Sequence, residues 1–196
     1  DNELTLTLKA ESSEPTVVNL TNHVYFNLKG EGNGNILDHN LKLYASNYLP
    51  ATEELITTGE IATVKDTPMD FTEGKLIGRD IKADFPALVN GKGYDSCWAI
   101  DNYNKGVMNP AATLSSEASG IKVDFMTTQP GVQIYTGNWL SGCPEGKCGK
   151  SYEDYEGVAL ECQAFPDAPN KANFPSAVLR PGEEYKEVIK FKFSTL

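Results

Sequence analysis

The 196-residue sequence is poor in histidine and arginine, two side chains that commonly bind anions or move protons. It contains two histidines and only two arginines, Arg79 and Arg180. Arginine is well suited to holding phosphate and carboxylate groups because its planar fork donates two parallel hydrogen bonds. Two arginines are few for a dedicated phosphate-binding site, so a neutral ligand fits this composition better than a phosphorylated one.

The sequence also has too few basic residues for a positive net charge, and it has no long apolar run. Lysine and arginine total 17 against 27 aspartates and glutamates, which gives a net charge of −10. Nucleic acids and anionic membranes repel such a chain, so we expect neither as a partner. No apolar run approaches membrane-spanning length, and no signal-like leader precedes Asp1. These features favour a cytoplasmic location and leave secretion open.

The four cysteines do not define one redox state. Cys143 and Cys148 lie in a turn-rich loop, where they could form a local disulfide, a loose thiol pair or half of a zinc site. No second pair of suitable spacing follows to complete a zinc site. Cys97 and Cys162 lie inside apolar, strand-like runs, which predicts small buried thiols.

Apolar and polar residues alternate with a period of two over much of the chain. This period is typical of β-strands with one buried face. Leu4, Leu6 and Leu8 alternate with polar residues near the start, and Ile189 and Phe191 alternate with lysines near the end. Strands are predicted at residues 4–10, 16–21, 41–48, 96–101, 111–116, 121–127, 132–137, 157–165 and 185–193.

Helical patterns are almost absent. A short helix or turn is expected around Asp80 to Phe85, where Pro86 should limit it. Many short strands separated by Gly and Pro turns favour antiparallel sheets arranged as a sandwich or barrel. The predicted fold class is therefore all-β, in a single domain that covers residues 1–196.

Among the candidate functional residues, His23 has the most distinctive surroundings. It lies in the run 19–28, which is rich in amides, hydroxyls and aromatic rings. Amides can hold the hydroxyls of a ligand, aromatic faces can cover its apolar patches, and histidine can move protons near neutral pH. The run suits a sugar site, although a hydrogen-bonded histidine at a strand end is an equally simple interpretation. The second histidine, His39, lies in a polar turn-like stretch and is expected to face solvent.

Three further polar residues lie in or beside predicted strands. Glu161 interrupts an apolar run, so we expect it to be partly buried, where desolvation would make it a candidate base near neutral pH. The alternative is an outward-facing residue on a half-buried strand. Asp95 could hold a ligand or cap a turn, and Gln133 could hold a ligand or be an exposed strand residue.

Several long motifs resemble the aldose 1-epimerase (galactose mutarotase) family. They are the runs 19–28 (Asn-Leu-Thr-Asn-His-Val-Tyr-Phe-Asn-Leu), 127–138 (Thr-Thr-Gln-Pro-Gly-Val-Gln-Ile-Tyr-Thr-Gly-Asn), 165–170 (Phe-Pro-Asp-Ala-Pro-Asn), 174–175 (Phe-Pro) and 179–183 (Leu-Arg-Pro-Gly-Glu). The similarity runs in order along the chain and matches the C-terminal portion of the family. It implies a galactose-mutarotase-like β-sandwich that lacks its N-terminal strands, and it implies interconversion of the α and β anomers of free aldoses.

The resemblance also implies roles for individual residues. Glu161 matches the general base that takes the proton from the C1 hydroxyl, and His23 matches the general acid that protonates the ring oxygen. Asp95 and Gln133 match residues that hold sugar hydroxyls. The implied ligand is a monosaccharide, and no metal or organic cofactor is implied.

Two departures from the family pattern leave alternatives open. Ser96 follows Asp95, where family members usually carry histidine. The N-terminal portion of the family, which supplies another histidine and an Asn-Arg pair, has no counterpart in this sequence. We therefore expect a processed product, a fragment, or one of two chains that together form the sandwich. A non-catalytic sugar-binding or regulatory relative is one alternative function, and a hexose-phosphate 1-epimerase, disfavoured by the two arginines, is another.

Overall fold

The structure is a computed structural model that describes residues 2–147 and 149–196. Within this range the chain forms 14 strands, one α-helix and two 3-10 helices. The strands are β1 (Glu3–Ala10), β2 (Thr16–Val17), β3 (Tyr25–Phe26), β4 (Asn40–Leu43), β5 (Asn47–Leu49), β6 (Ala62–Thr63), β7 (Lys75–Leu76), β8 (Asp95–Ala99), β9 (Asn109–Ser116), β10 (Ile121–Thr127), β11 (Gly131–Tyr135), β12 (Val158–Gln163), β13 (Val178–Leu179) and β14 (Tyr185–Thr195). Helix α1 is Pro86–Gly91, and the 3-10 helices are Ile77–Arg79 and Ala168–Asn170.

Two six-stranded antiparallel sheets contain most of these strands. The terminal sheet has the order β1-β14-β10-β9-β4-β7, and the site sheet has the order β3-β12-β11-β8-β5-β6. A separate two-stranded ribbon pairs β13 with β2. The all-β, antiparallel fold class predicted from the sequence is confirmed.

The core lies between the two sheets and receives alternate residues from each. Phe125 and Phe191 of the terminal sheet meet Phe26 of the site sheet, with ring centroids 5.2 to 5.7 Å apart and steeply inclined planes. Edge-to-face contacts of this kind add to the free energy of burying the rings. Trp98 is fully buried in the same cluster, and its indole N–H donates to the Met69 carbonyl at 3.0 Å.

Most of the predicted strands are present, with shifts of a few residues. The predicted run 41–48 forms two strands, β4 and β5, which belong to different sheets. The predicted buried face of β1 is only partly buried: Leu6 and Leu8 pack against the core, whereas Leu4 is 52% exposed. The reason is that β1 is an edge strand whose described neighbour is β14 alone.

The short helix or turn expected around Asp80 to Phe85 is a turn, in which the Ala83 N–H donates to the Asp80 carbonyl at 2.9 Å. Pro86 begins a helix, so the expectation that it would only limit one was wrong. Pro86 occupies the first turn of α1. Proline is favourable at this position because its missing N–H would have no partner and its φ is already helical. The helix ends at Gly91, and the next residue, Lys92, takes a left-handed conformation with φ of 56°. Neither α1 nor any other helix in the described part is long and apolar enough to cross a membrane.

The expectation that His39 would face solvent was also wrong. His39 is fully buried, its Nε2 accepts a hydrogen bond from the Leu28 N–H at 2.9 Å, and its Nδ1 lies 3.1 Å from Asp38 Oδ1. Burial lowers the pKa of His39, which favours the neutral ring. The histidine therefore holds the backbone just after β3 and has a structural task.

The cysteine predictions have different outcomes. Cys97 and Cys162 are free thiols with little or no exposed surface, as predicted. Cys148 lies outside the described residues, so the three alternatives for Cys143 and Cys148, a local disulfide, a loose thiol pair or half of a zinc site, stay open.

Candidate active site

The outer face of the site sheet places three of the candidate residues side by side. Gln133 of β11 lies opposite Glu161 of β12 in the antiparallel register. Their neighbours Ile134 and Leu160 pack into the core, so Gln133 and Glu161 project from the other face. Strand β8 pairs with the other edge of β11, and its first residue, Asp95, lies opposite Tyr135. Three adjacent strands thus bring one amide and two carboxylates to the same surface.

A direct hydrogen bond joins Gln133 to Asp95. Gln133 Nε2 donates to Asp95 Oδ1 at 2.7 Å. The other end of the amide, Gln133 Oε1, is buried and accepts no hydrogen bond from the described residues. Buried polar atoms normally have a partner, so this acceptor is available to a ligand hydroxyl.

His23 reaches the same surface from the chain segment that leads into β3. In the register of β3 with β12, Tyr25 lies opposite Ala159. Because the strands are antiparallel, moving two residues back from Tyr25 and two residues forward from Ala159 brings residue 23 opposite residue 161. His23 Nε2 lies 3.4 Å from Glu161 Oε1. The histidine side chain is 48% exposed and the glutamate side chain 11% exposed.

Side-chain hydrogen bonds attach the segment before His23 to β12 and the residue after it. The amide of Asn19 both accepts from the Ala164 N–H at 2.8 Å and donates to the Ala164 carbonyl at 3.3 Å. Thr21 Oγ1 donates to the Cys162 carbonyl at 2.7 Å. We call Asn19 and Thr21 the side-chain ladder. It fixes the register of the segment that carries His23, although this segment forms no regular strand.

Burial dominates the electrostatics of both carboxylates. It raises the pKa of Glu161, the Asp95 carboxylate raises it further, and His23 lowers it. It also raises the pKa of Asp95, against the hydrogen bond from Gln133 and the nearby His23, which lower it. A raised carboxylate pKa gives a stronger base near neutral pH, which is a common property of functional carboxylates.

Two tyrosines flank the histidine. The ring of His23 lies 5.0 Å from that of Tyr25 and 6.2 Å from that of Tyr135, measured between centroids. Burial raises the pKa of both phenols, so they remain neutral near physiological pH. The rings confine the imidazole from two sides while its Nε2 remains directed at Glu161.

A cavity of about 450 Å³ opens above these residues. Its size falls in the range of small-molecule sites. The cavity contains no lysine or arginine among its described lining residues, and all four predicted site residues line it. The lining residues are His23, Leu49, Ala51, Leu55, Thr57, Asp95, Ser96, Cys97, Gln133, Tyr135, Trp139, Glu161, Gln163 and Pro166.

Some residues of this cavity are not marked as functional by the sequence patterns. Tyr135 and Gln163 lie two residues from Gln133 and Glu161, so counting with a period of two would have placed them on the same face. Trp139 comes after the end of β11, where no periodic pattern applies, and only the folded chain brings it to the cavity. Residues 2–147 and 149–196 contain no group of three or more His, Cys, Asp or Glu that could hold a metal ion.

Comparisons with known proteins identify relatives over nearly the whole chain. A family model described as aldose 1-epimerase matches residues 1–192. The galactose mutarotase of Bos taurus is 42% identical over 192 residues, which are 98% of this chain and 54% of that protein. The aldose 1-epimerase of Escherichia coli K12 is 36% identical over 195 residues, which are 98% of this chain and 55% of that protein.

Solved structures give the same result for the fold. A crystal structure of an aldose epimerase homologue from C. elegans matches with a TM-score of 0.85 at 30% identity. That match covers 100% of this chain and 57% of the C. elegans chain. The chain thus spans about half the length of the curated relatives and of the structure that it matches.

Proposed function

The chain belongs to the aldose 1-epimerase family, and from that membership we propose that it interconverts the α and β anomers of free aldoses such as galactose or glucose. One observation carries the proposal. His23 Nε2 and Glu161 Oε1 lie 3.4 Å apart in a cavity whose other polar groups include Asp95 and Gln133.

The short distance between acid and base suits the reaction. Opening a pyranose ring requires a proton to leave the C1 hydroxyl and a proton to reach the ring oxygen. Both oxygens are bonded to the same carbon, so the two protein groups must also be neighbours. A histidine and a carboxylate in adjacent positions on one surface can each reach one of these oxygens.

In the proposed mechanism Glu161 starts as a carboxylate and His23 as an imidazolium. Glu161 takes the proton of the C1 hydroxyl while His23 gives its proton to the ring oxygen. The bond between C1 and the ring oxygen breaks, and C1 becomes an aldehyde. After rotation about the C1–C2 bond, the ring oxygen attacks the other face of the aldehyde, and both protons return to their starting groups. Substrate and protein are therefore restored, with the configuration at C1 inverted.

Asp95 and Gln133 are proposed to hold the hydroxyls that do not react. The Gln133 Oε1 acceptor can receive a hydrogen bond from one hydroxyl, and Asp95 can receive another at its second oxygen. Holding the sugar this way fixes C1 beside His23 and Glu161, and fixed geometry is a large part of the rate enhancement that enzymes provide.

The charge of the cavity favours a neutral sugar over a sugar phosphate. Two carboxylates, Asp95 and Glu161, line the cavity, and none of the described lining residues is a lysine or arginine. A phosphate group there would be repelled and would lack a cationic partner. The hexose-phosphate alternative is therefore not supported by this site.

We also propose that residues 1–196 belong to one β-sandwich domain that includes polypeptide outside this sequence, on the same chain or a second one. The matched relatives are nearly twice as long. Strands β1 and β3 end their sheets in the described structure, and Val24 and Tyr25 are exposed beside His23. Mutarotation by the 196 residues alone should be far slower than by the protein in its natural length. Equal rates would contradict this part of the proposal.

A cytoplasmic location is a further proposal. Cys97 and Cys162 are unpaired thiols, and proteins of oxidising compartments more often use cysteines in disulfides. Microscopy of the tagged natural-length protein should show it inside the cytoplasm, and accumulation in the medium would contradict the proposal.

Polarimetry tests the proposed reaction. Freshly dissolved α-galactose or α-glucose should approach its equilibrium rotation faster with the natural-length protein than in buffer alone. Glu161→Gln and His23→Gln keep the size of each side chain and should each lower kcat by about 10²–10⁴-fold. Saturable sugar binding without faster mutarotation would instead indicate a non-catalytic relative. Full activity of Glu161→Gln would remove Glu161 as the base.

A further inference from the structure

Trp139 is an unusual residue in the cavity wall because it is large, apolar and mostly exposed. Trp139 is 60% exposed, whereas the only other tryptophan in the sequence, Trp98, is fully buried in the core. Tryptophan offers a large aromatic surface that is favourable to bury. An exposed tryptophan that lines a ligand-sized cavity is therefore a candidate contact for the ligand.

Buried residues and hydrogen bonds hold the backbone that presents Trp139. Thr136 and Asn138 are fully buried, and Asn138 Nδ2 donates to the carbonyls of Gly91 at 2.7 Å and Tyr94 at 3.0 Å. Between them Gly137 has a φ of +65°, and a Cβ there would come within 2.7 Å of the Gly157 carbonyl. Only glycine fits this turn without strain. The turn thus fixes the point from which the Trp139 side chain leaves the fold.

Two contacts hold Trp139 itself. Its backbone N–H donates to the Tyr135 hydroxyl at 3.2 Å, which ties it to a residue of the cavity floor. Lys92 Nζ lies 4.7 Å from the centre of its ring, and Asp154 holds the same ammonium in an ion pair. Lys92 is not among the described residues that line the cavity, whereas Trp139 is. Cation–π contacts of this kind restrict the orientation of an aromatic ring.

We propose that Trp139 is a sugar-binding residue whose ring packs against the C–H face of the pyranose held in the cavity. A pyranose has hydroxyls around its rim and C–H groups on its faces. Asp95 and Gln133 can satisfy hydroxyls but offer no surface for the C–H groups. Carbon atoms bonded to oxygen leave their hydrogens slightly positive, and the face of an aromatic ring is negative, so the two surfaces attract each other.

This inference rests on the proposed function, because it assigns an additional contact to the same substrate. No hydrogen bond, ion pair or ring contact among the described residues joins Trp139 to His23 or Glu161, so it should contribute to binding the sugar and not to the proton transfers. Its loss should therefore raise KM while leaving kcat nearly unchanged, which is the kinetic pattern of a uniform binding contact.

The experiment combines kinetics with tryptophan fluorescence in the natural-length protein. Galactose should change the fluorescence of the wild type in a saturable way, and Trp139→Phe should lose most of that change. The KM of Trp139→Phe should stay within about threefold of the wild-type value, because an aromatic ring remains. Trp139→Ala should raise KM about fivefold to twentyfold. Val89→Ala is a matched control, because Val89 is also 60% exposed but does not line the cavity.

Different results separate this inference from the proposed function. If the protein catalyses mutarotation but Trp139→Ala keeps the wild-type KM, or Trp139→Phe keeps the full fluorescence change, the assignment of Trp139 is wrong and the proposed function stands. A loss of kcat equal to the rise in KM would also contradict a pure binding role. If the wild type neither binds galactose nor accelerates mutarotation, both proposals fail.

Discussion

Glu161 combines burial with a close acid partner, and the two act on it in opposite directions. Burial and the Asp95 carboxylate raise its pKa, whereas His23 lowers it. Since burial is the largest effect, the balance leaves a carboxylate that is a stronger base than an exposed glutamate. A stronger base is useful here because the sugar hydroxyl is a weak acid.

The pH dependence of the reaction should report this balance. The base must be ionised, so kcat/KM should fall as the pH is lowered through the pKa of Glu161 in the free protein. That pKa is raised above 4.5, so the midpoint of the acidic limb should lie above this value. Rates of mutarotation measured over the acidic range give the midpoint. A midpoint at or below the ordinary glutamate value would contradict the argument.

Asp95→Asn provides the second arm of this test. The substitution keeps the shape of the side chain and removes a negative charge that raises the pKa of Glu161. The acidic limb should therefore move to lower pH, and KM should rise because a sugar contact is altered. A limb that moves to higher pH would show that Asp95 does not act on Glu161 through its charge.

At the scale of single residues, sequence patterns were informative where a polar residue broke an apolar run. The position of Glu161 among apolar neighbours predicted its burial, which the structure confirms. The polar neighbours of His39 wrongly predicted a solvent-exposed side chain. Its hydrogen-bond partners are Asp38 and the Leu28 N–H, and only the folded chain brings the Leu28 N–H to the ring. The exposure of Trp139 likewise follows from the buried turn before it and has no signature in the local composition.

At the scale of secondary-structure elements, the side-chain ladder shows how side-chain hydrogen bonds can hold an irregular segment in register with a neighbouring strand. Residues 18–24 have no regular structure, yet Asn19 and Thr21 bond to Ala164 and Cys162 in antiparallel order. The Leu20 carbonyl also accepts hydrogen bonds from Gln129 and Tyr185, each at 3.3 Å. The ladder places His23 opposite Glu161.

Thr21→Val tests the ladder because valine has nearly the shape of threonine but cannot donate to Cys162. We expect kcat to fall about tenfold to a hundredfold, since a small misplacement of an acid group has effects of that size, while KM changes little. The free energy of unfolding should fall by about 1 kcal/mol. Steady-state mutarotation and urea denaturation measure the two effects.

Two further variants make the test specific. Thr21→Ser restores the hydroxyl and should recover most of the wild-type kcat. Thr7→Val lies on an exposed position of β1 and should change neither quantity noticeably. A wild-type kcat in Thr21→Val, or an equal loss in Thr21→Ser, would show that the hydroxyl does not position His23.

Elements with a clear period were predictable from the sequence, and elements defined by tertiary contacts were not. The long strands β9, β10 and β14 follow the alternation of apolar residues closely. The two-residue strands β3, β6 and β7 are too short to show a period, and they exist because a longer neighbour supplies their hydrogen bonds. The start of α1 at Pro86 was missed because proline excludes a helix interior but favours a helix start.

At the scale of the whole molecule, the two faces of the site sheet have separate tasks. Its inner face packs on the terminal sheet through Trp98, Ile134 and Leu160, and its outer face carries the cavity. The same strands therefore contribute alternately to stability and to the site. This arrangement predicts that core substitutions in the terminal sheet act on stability without altering the chemistry of the cavity.

Phe191→Ala tests that separation. Phe191 lies in β14 of the terminal sheet and is 2% exposed; its ring contacts Phe125 on the neighbouring strand and Phe26 of the site sheet across the core. Removing the ring should lower the free energy of unfolding by about 3–5 kcal/mol, because both burial and packing are lost. The change should appear as a lower urea midpoint with an unchanged slope.

Lys192→Ala is the control for this substitution, because it is the next residue of the same strand and lies exposed on the opposite face. It should alter the free energy of unfolding by less than about 0.5 kcal/mol. Well below the unfolding transition, Phe191→Ala should keep a wild-type acidic limb in its pH profile, since the surroundings of Glu161 are unchanged. A shifted limb in Phe191→Ala would mean that packing of the terminal sheet sets the burial of Glu161, and the two faces of the site sheet would then not act separately.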